Sequence, residues 1–170
     1  MPNHDARAVA NEFIKLAKKH GKKPLTHMQL QKLVYIAHGW SFALGEEEAP
    51  LIADTVEAWD WGPVIPCLWD ALKKYGKKPI ETPIHEHEWK TDTENLGDVV
   101  TGAFSESEEE IIETVFDIYG EMGGIRLSDI THEEGTPWQQ VYVPAKKNIS
   151  IPDELISAHY KDLLREYEAA

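Results

Sequence analysis

The stretch Thr26-His27-Met28-Gln29-Leu30-Gln31-Lys32-Leu33-Val34-Tyr35-Ile36-Ala37-His38-Gly39-Trp40-Ser41-Phe42-Ala43-Leu44 decides the fold. Thr26 followed three residues later by Gln29 has the spacing of a capping box, in which each side chain closes a backbone N–H left open at a helix start. From residue 28 to 44, Leu30, Leu33, Val34, Ile36, Ala37, Trp40 and Ala43 cover more than one helical face. A helix apolar on more than one face is buried rather than laid on a surface. The stretch therefore predicts a central helix around which the others pack.

Working outward, residues 5–19 place Ala6, Val9, Ala10, Phe13, Ile14 and Ala17 on one helical face, and Gly21 ends that run. Ser105 with Glu108 repeats the capping spacing ahead of a stripe of Ile111, Ile112, Val115, Phe116, Ile118, Tyr119 and Met122, which Gly123-Gly124 breaks. Short helical pieces are predicted over residues 127–131 and from Thr136-Pro137, the second carrying Trp138, Val141 and Tyr142. A last helix opens at residues 150–153 with Leu155, Ile156, His159, Tyr160, Leu163, Leu164 and Tyr167 inward. Residues 51–53 and 55–61 alternate like two short strands of a ribbon. Pro63 fits the first turn of a helix that carries Ile65, Leu68, Trp69, Leu72 and Tyr75 inward and stops at Gly76. Residues 77–104 show no sustained period and read as a surface excursion. No repeat or linker interrupts the chain. The expectation is a mainly α fold, a single globular helical domain over residues 1–170 with a central buried helix and a short β-ribbon.

The 170 residues are 42% hydrophobic, include six tryptophans, and carry 17 Lys+Arg against 30 Asp+Glu for a net charge of −13. A chain this long buries enough surface to fold without a disulfide or a structural metal. The single Cys67 excludes an internal disulfide and any CxxC pair, and a reducing, cytoplasmic setting is expected. The polar first eleven residues lack the apolar stretch of a signal peptide, and no run reaches the length of a membrane span. The charge is uneven: residues 105–134 hold ten carboxylates and only Arg126. A non-specific polyanion binder needs the opposite sign, so a nucleic-acid partner is disfavoured. Lys15, Lys18, Lys19, Lys22 and Lys23 are the local exception and read as the solvated face and C-terminal end of the first helix. The acidic segment is either a soluble face or a field that steers a basic partner.

Few residues suggest catalysis. His85-Glu86-His87-Glu88 places two imidazoles on one side of an extended chain but shows no third ligand, so no metal and no cofactor is expected. Thr131-His132-Glu133-Glu134 sets an imidazole beside carboxylates, and a hydrolase built on His132 and Glu133 is the enzymatic alternative. No nucleophile motif or phosphate-cradling glycine loop accompanies it, and a capping threonine with a hydrogen-bonded histidine reads better. Cys67 reads as a small hydrophobe in or near the core. Trp59 and Trp61 are two apart in a strand-like segment with Asp60 between them. They either seal the core or present an aromatic platform to a partner protein.

Three strings taken together carry a resemblance: Leu30-Gln31-Lys32-Leu33-Val34-Tyr35-Ile36-Ala37-His38-Gly39-Trp40; then Glu57-Ala58-Trp59-Asp60-Trp61-Gly62-Pro63-Val64-Ile65-Pro66; then Leu127-Ser128-Asp129-Ile130-Thr131-His132 with Pro137-Trp138. In order and spacing the chain resembles the Panacea domain family, which includes phage-associated proteins and SocA-type antitoxins, across roughly residues 5–165. The resemblance implies a mostly helical, non-enzymatic domain that neutralises a toxin encoded beside it by direct contact. For SocA-type members it also implies a proteolytic adaptor that delivers the toxin to the ClpXP protease. It supplies no catalytic residues. The partner-binding candidates are Trp59, Asp60, Trp61, His132, Glu133 and Trp138, although for the matched residues Trp61, Gly62, Pro63, His132 and Trp138 a structural role is the favoured reading. Ala169 and Ala170 resemble the Ala-Ala tails that ClpX recognises and are the protease-contact candidates. A transcriptional or other nucleic-acid-related regulator is the remaining alternative.

Overall fold

In the computed structural model, which describes residues 3–45, 50–88 and 95–170, the Thr26 capping box is formed. Thr26 Oγ1 accepts from the Gln29 N–H (3.3 Å) and Gln29 Oε1 accepts from the Thr26 N–H (2.9 Å). They start α2 (His27–Leu44), in which every residue from 30 to 41 is buried. The other elements are α1 (Ala6–Lys19), β1 (Glu57–Trp59), β2 (Gly62–Val64), α3 (Pro66–Leu72) with a 3₁₀ turn at Lys73–Tyr75, α4 (Glu106–Tyr119), α5 (Gly124–Thr131), α6 (Pro137–Val141) and α7 (Asp153–Ala169). Helices α1, α4, α5 and α7 surround α2, and a contiguous core takes Phe13 from α1, Leu33 from α2, Leu68 from α3, Ile112 from α4, Leu127 from α5 and Ile156 from α7. The fold is mainly α, with α2 central and a single two-stranded ribbon among the described residues.

Gly39 sets the closest approach in this bundle. A Cβ placed there would lie 2.1 Å from Cε2 of Tyr160, so the absence of a side chain lets the α7 tyrosine lie against the α2 backbone. The Tyr160 ring meets Trp40 edge-on, with centroids 5.2 Å apart. Buried His38 links the same helices: Ile52 N–H donates to its Nδ1 (3.4 Å), which leaves Nε2–H to donate to Asp153 Oδ1 at the start of α7 (3.0 Å).

The ribbon differs from its sequence-based assignment. Residues 51–53 do not join it; His4 bridges Ile52 in parallel, while β1 pairs antiparallel with β2 in the register Glu57↔Val64, Ala58↔Pro63, Trp59↔Gly62. Asp60 and Trp61 are therefore turn residues, and Gly62 closes the turn at φ +110°, a conformation that favours glycine. Pro63 sits in β2 rather than opening a helix; Pro66 opens α3. The proline is tolerated because Ala58 sends its N–H outward to Ile149 O (2.9 Å), so Ala58↔Pro63 is a pair without hydrogen bonds between its members. Three smaller corrections follow from packing. Helix α5 begins at Gly124, Tyr167 is 66% exposed, and Trp69 is 38% exposed instead of facing inward.

Residues 77–104 are tied down where described. The buried Asn11 amide accepts from Ile84 N–H (2.7 Å) and donates to Ile84 O (3.0 Å) and Val100 O (2.9 Å), and Ile80, Ile84 and Val100 are buried. Residues 89–94 of this segment, residues 46–49 and the first two residues lie outside the described part.

Replacing Gly39 by alanine favours an isolated helix by about 1 kcal/mol yet forces the Tyr160 ring away. Gly39→Ala is expected to cost about 3 kcal/mol in urea unfolding, and Gly39→Ala with Tyr160→Leu to cost at least about 1 kcal/mol less than the two single changes together. Strict additivity would show that the contact does not limit the packing.

Candidate partner-binding groove

The hairpin tip forms one side of a groove of about 870 Å³, completed by the start of α2, by α3 with its 3₁₀ turn, by the start of α5 and by residues 146–148. Trp59 stacks obliquely on Trp69 (centroids 5.2 Å apart), and Trp69 on His27 (4.8 Å). Of the nine large apolar side chains exposed among the described residues, Met28, Trp61, Trp69 and Ile125 all line this groove. Such clustering, rather than single exposed residues, marks an interaction site.

Three polar side chains of α2 line its floor. Gln31 acts as a substitute backbone partner for Ile65, with Oε1 accepting from Ile65 N–H (3.0 Å) and Nε2 donating to Ile65 O and to His27 Nε2 (3.3 Å each). His27 is therefore the neutral tautomer that accepts at Nε2; burial first, and the charge of Lys32 second, lower its pKa to about 4. Lys32 is 2% exposed and donates to Trp61 O (3.1 Å) and Pro63 O (2.9 Å), with no carboxylate partner among the described residues. Burial alone lowers its pKa to about 7. Around the rim Lys73, Lys77, Lys146 and Lys147 are exposed, and the carboxylates there are engaged: Glu57 accepts from Trp59 Nε1 (3.0 Å) and Asp60 from the Tyr142 hydroxyl (2.6 Å). Hydrogen bonding to Asp60 raises the Tyr142 pKa.

The candidate residues fall into distinct groups. Trp59, Asp60 and Trp61 line the groove. Trp59 is half-buried in β1, and Trp61, 73% exposed, is in the turn, so the two do not share one face of a single strand as their spacing of two suggests. Trp138 holds the hairpin from behind, and His132 packs against Trp138. Trp138 Nε1 donates to Trp59 O (2.6 Å), and its ring lies between Tyr142 (4.3 Å) and His132 (5.3 Å). His132 Nδ1–H donates to Ser128 O, whereas the Glu133 side chain is exposed and takes no part in that bond. Ala169 and Ala170 are exposed at the end of α7 and do not line the groove. None of the ten carboxylates of residues 105–134 lines it either.

The sequence reading missed Lys32, Trp69, Met28, Ile125, Lys146 and Lys147 as groove residues. The available signal was the Gln31-Lys32 pair inside a helix otherwise apolar all round, since polar groups buried there need assigned partners.

Two clusters bear on metal binding. His85 Nδ1–H donates to Glu88 Oε1 (3.2 Å), and Glu88 is itself buried and paired with Lys74, so part of this segment is interior rather than an exposed polar loop. Burial works to raise the Glu88 pKa, but Lys74 and His85 hold it below the usual value. Asp5, Asp54 and Cys67 bring possible ligand atoms within 4.8 Å of one another. Their partners are already internal: Arg7 pairs with Asp5 (2.8 Å), Ala6 N–H donates to Asp54 (2.7 Å), and the Cys67 thiol donates to Asp54 (3.0 Å). Burial and then Asp54 raise the Cys67 pKa, which keeps the thiol protonated.

The sequence model described as "Antitoxin SocA-like, Panacea domain" matches residues 30–139, a span that holds most of α2, the hairpin, α3 and α5. The chain belongs to this family. Antitoxin SocA of Caulobacter vibrioides (strain NA1000 / CB15N) is 30% identical to this Panacea chain over 161 residues, covering 95% of the chain and 82% of that protein. No solved structure matches it. Among the described residues, no helix of this family member is long and apolar enough to cross a membrane.

Lys32 and His27 give the groove floor a defined pH response. Between pH about 7 and the ordinary lysine value of 10.5 the unfolded chain keeps the Lys32 proton that the folded chain has released, so stability rises with pH across that window. Between 6.5 and about 4 the unfolded chain protonates His27 while the folded chain does not, so stability falls as pH is lowered. Urea unfolding at several pH values is expected to show wild type gaining on Lys32→Met through the upper window. Parallel curves would mean that Lys32 is not a desolvated ammonium.

Proposed function

We propose that this protein is an antitoxin that binds and neutralises a cognate toxin, with the groove beside the β-hairpin as the contact surface. The observation that carries the reading is the overlap between the family match and the groove: residues 30–139 include Lys32, Trp59, Trp61, Trp69 and Ile125. Exposed tryptophans at the mouth of a concave site are the residue type that dominates binding energy at protein interfaces. The reading is of a binding protein, not an enzyme.

The finer reading is a proteolytic adaptor. An adaptor holds toxin and protease at once, so delivery becomes effectively intramolecular and each contact can be weak. Two surfaces are needed. The groove serves the toxin, and the exposed Ala169 and Ala170 serve ClpX in ClpXP.

Co-expression with the toxic product of the adjacent gene is expected to restore growth. Trp61→Ala should weaken toxin binding by about 2 kcal/mol while leaving the thermal midpoint unchanged, because the side chain is 73% exposed. Purified ClpXP with labelled toxin then tests the adaptor mode. Degradation should accelerate with intact protein and not with Ala169→Asp/Ala170→Asp. Inhibition of the toxin without faster degradation would remove the adaptor reading and leave occlusion.

A further inference from the structure

The groove has the opposite sign from the molecule. On a chain of net charge −13, its lining holds five lysines against two carboxylates. Both carboxylates are already hydrogen-bonded within the protein, whereas Lys77, Lys146 and Lys147 have no carboxylate partner among the described residues. Lys32 adds an amine beneath them, nine-tenths or more buried and held only by two main-chain carbonyls. An ammonium in that position has lost its water without gaining a counter-charge, and an anion entering the groove would supply one. The apolar part of the lining, Met28, Trp59, Trp69 and Ile125, needs an apolar group to cover it.

We propose that the groove seats an acidic segment of the partner protein, with one aromatic or aliphatic side chain among its tryptophans and Ile125, and carboxylates against Lys77, Lys146 and Lys147 above the buried Lys32. This rests on the antitoxin reading for the identity of the partner, but the ligand chemistry is argued from the groove itself. A peptide is favoured over a single-stranded nucleic acid because a phosphate backbone needs an extended basic track, and this molecule of net charge −13 offers a local cluster of lysines instead. A carboxylate segment with one apolar anchor needs only the groove. Rim charges of this kind act on selection and approach, while the aromatic pocket holds the anchor.

The probe is a random-peptide display library selected on the immobilised full chain, with recovered peptides resynthesised and measured by fluorescence anisotropy. A fluorescein-labelled oligothymidylate is measured in parallel. The expected result is a set of peptides of net negative charge with a shared aromatic or aliphatic position. They should weaken in high salt and lose about tenfold in affinity on Lys146→Glu/Lys147→Glu, whose circular dichroism should be unchanged because both side chains are exposed. Peptides that are neutral or basic, peptides that bind the charge-reversed variant equally well, or tighter binding of the oligonucleotide would overturn the proposal. Trp61→Ala is the second variant, and peptide affinity unaffected by it would place binding elsewhere. Growth rescue separates the two levels. If wild type and Lys146→Glu/Lys147→Glu neutralise the toxin equally, the groove is not the toxin's seat and the antitoxin reading stands. If wild type gives no rescue although acidic peptides bind, the antitoxin reading fails and the ligand chemistry stands.

Discussion

A helix buried on all sides cannot leave its polar side chains to water, and α2 carries Gln31, Lys32, His38 and Ser41 within its buried stretch. Each unmet polar group there would cost about 1–3 kcal/mol, comparable to a sizeable part of a small domain's stability. The structure meets the demand of these four by bringing other segments to the helix, whereas the buried Tyr35 hydroxyl of the same helix has no partner among the described residues. Gln31 takes both backbone groups of Ile65, Lys32 takes the carbonyls of Trp61 and Pro63, His38 takes Asp153, and Ser41 Oγ accepts from Leu51 N–H (3.3 Å). The hairpin, the start of α7 and the segment after α2 are thus placed by hydrogen-bond requirements that arise on one helix. Hydrophobic burial gathers the bundle, but it is non-directional. The polar groups fix where each piece sits.

The groove is a product of that arrangement. Satisfying Gln31 and Lys32 draws the hairpin across the first turns of α2, and the space left between it, α3 and the start of α5 is lined by whatever those elements present outward. Lys32 is the member of the set whose demand is least fully met, because carbonyl dipoles solvate an ammonium less completely than a carboxylate does. Its lowered pKa expresses that residual cost. A position that is costly in the isolated molecule and adjacent to an open groove is one where binding free energy can be gained without building a new contact network.

Local signals made much of this legible. The capping boxes at Thr26 and Ser105, the one-sided stripe of α1 and the all-round stripe of α2 depend on residues within a few positions of one another, and these three helices are present. The hairpin was misread because alternation over residues 55–61 looks like one continuous strand. The pairing Trp59↔Gly62 turns Asp60 and Trp61 into a loop, and the bonds that hold that turn, from Lys32 to Trp61 and from Ala58 to Ile149, involve residues outside the hairpin. Contacts between distant positions account for the other departures. Glu88 is buried with Lys74, Cys67 meets Asp54, and Asn11 pins residues 84 and 100; no window of sequence contains such a pair with its geometry. Trp69 faces outward, where Trp59 of the hairpin and His27 of α2 are its stacking partners at the groove.

The tip of the hairpin is anchored largely through its main chain. Trp138 donates to the Trp59 carbonyl, Ser128 Oγ donates to the Trp61 carbonyl, and Lys32 donates to the Trp61 and Pro63 carbonyls. Because carbonyl oxygens accept regardless of the side chain they carry, these anchors do not depend on which residues occupy the turn. What they require is the backbone path, which Gly62 at φ +110° provides. The Gly62 position also limits that path from beneath, since a Cβ there would come to 3.0 Å from Lys32 Nζ. A loop held in this way can change the side chains it shows to a partner at little cost in folding stability. The donors behind it, Trp138, Ser128 and Lys32, cannot change without releasing it. The exposed side chains of the turn and its support are therefore supplied by different residues in the same few turns of chain, and within the Gly62-Pro63 and Pro137-Trp138 strings Gly62 and Trp138 belong to the support.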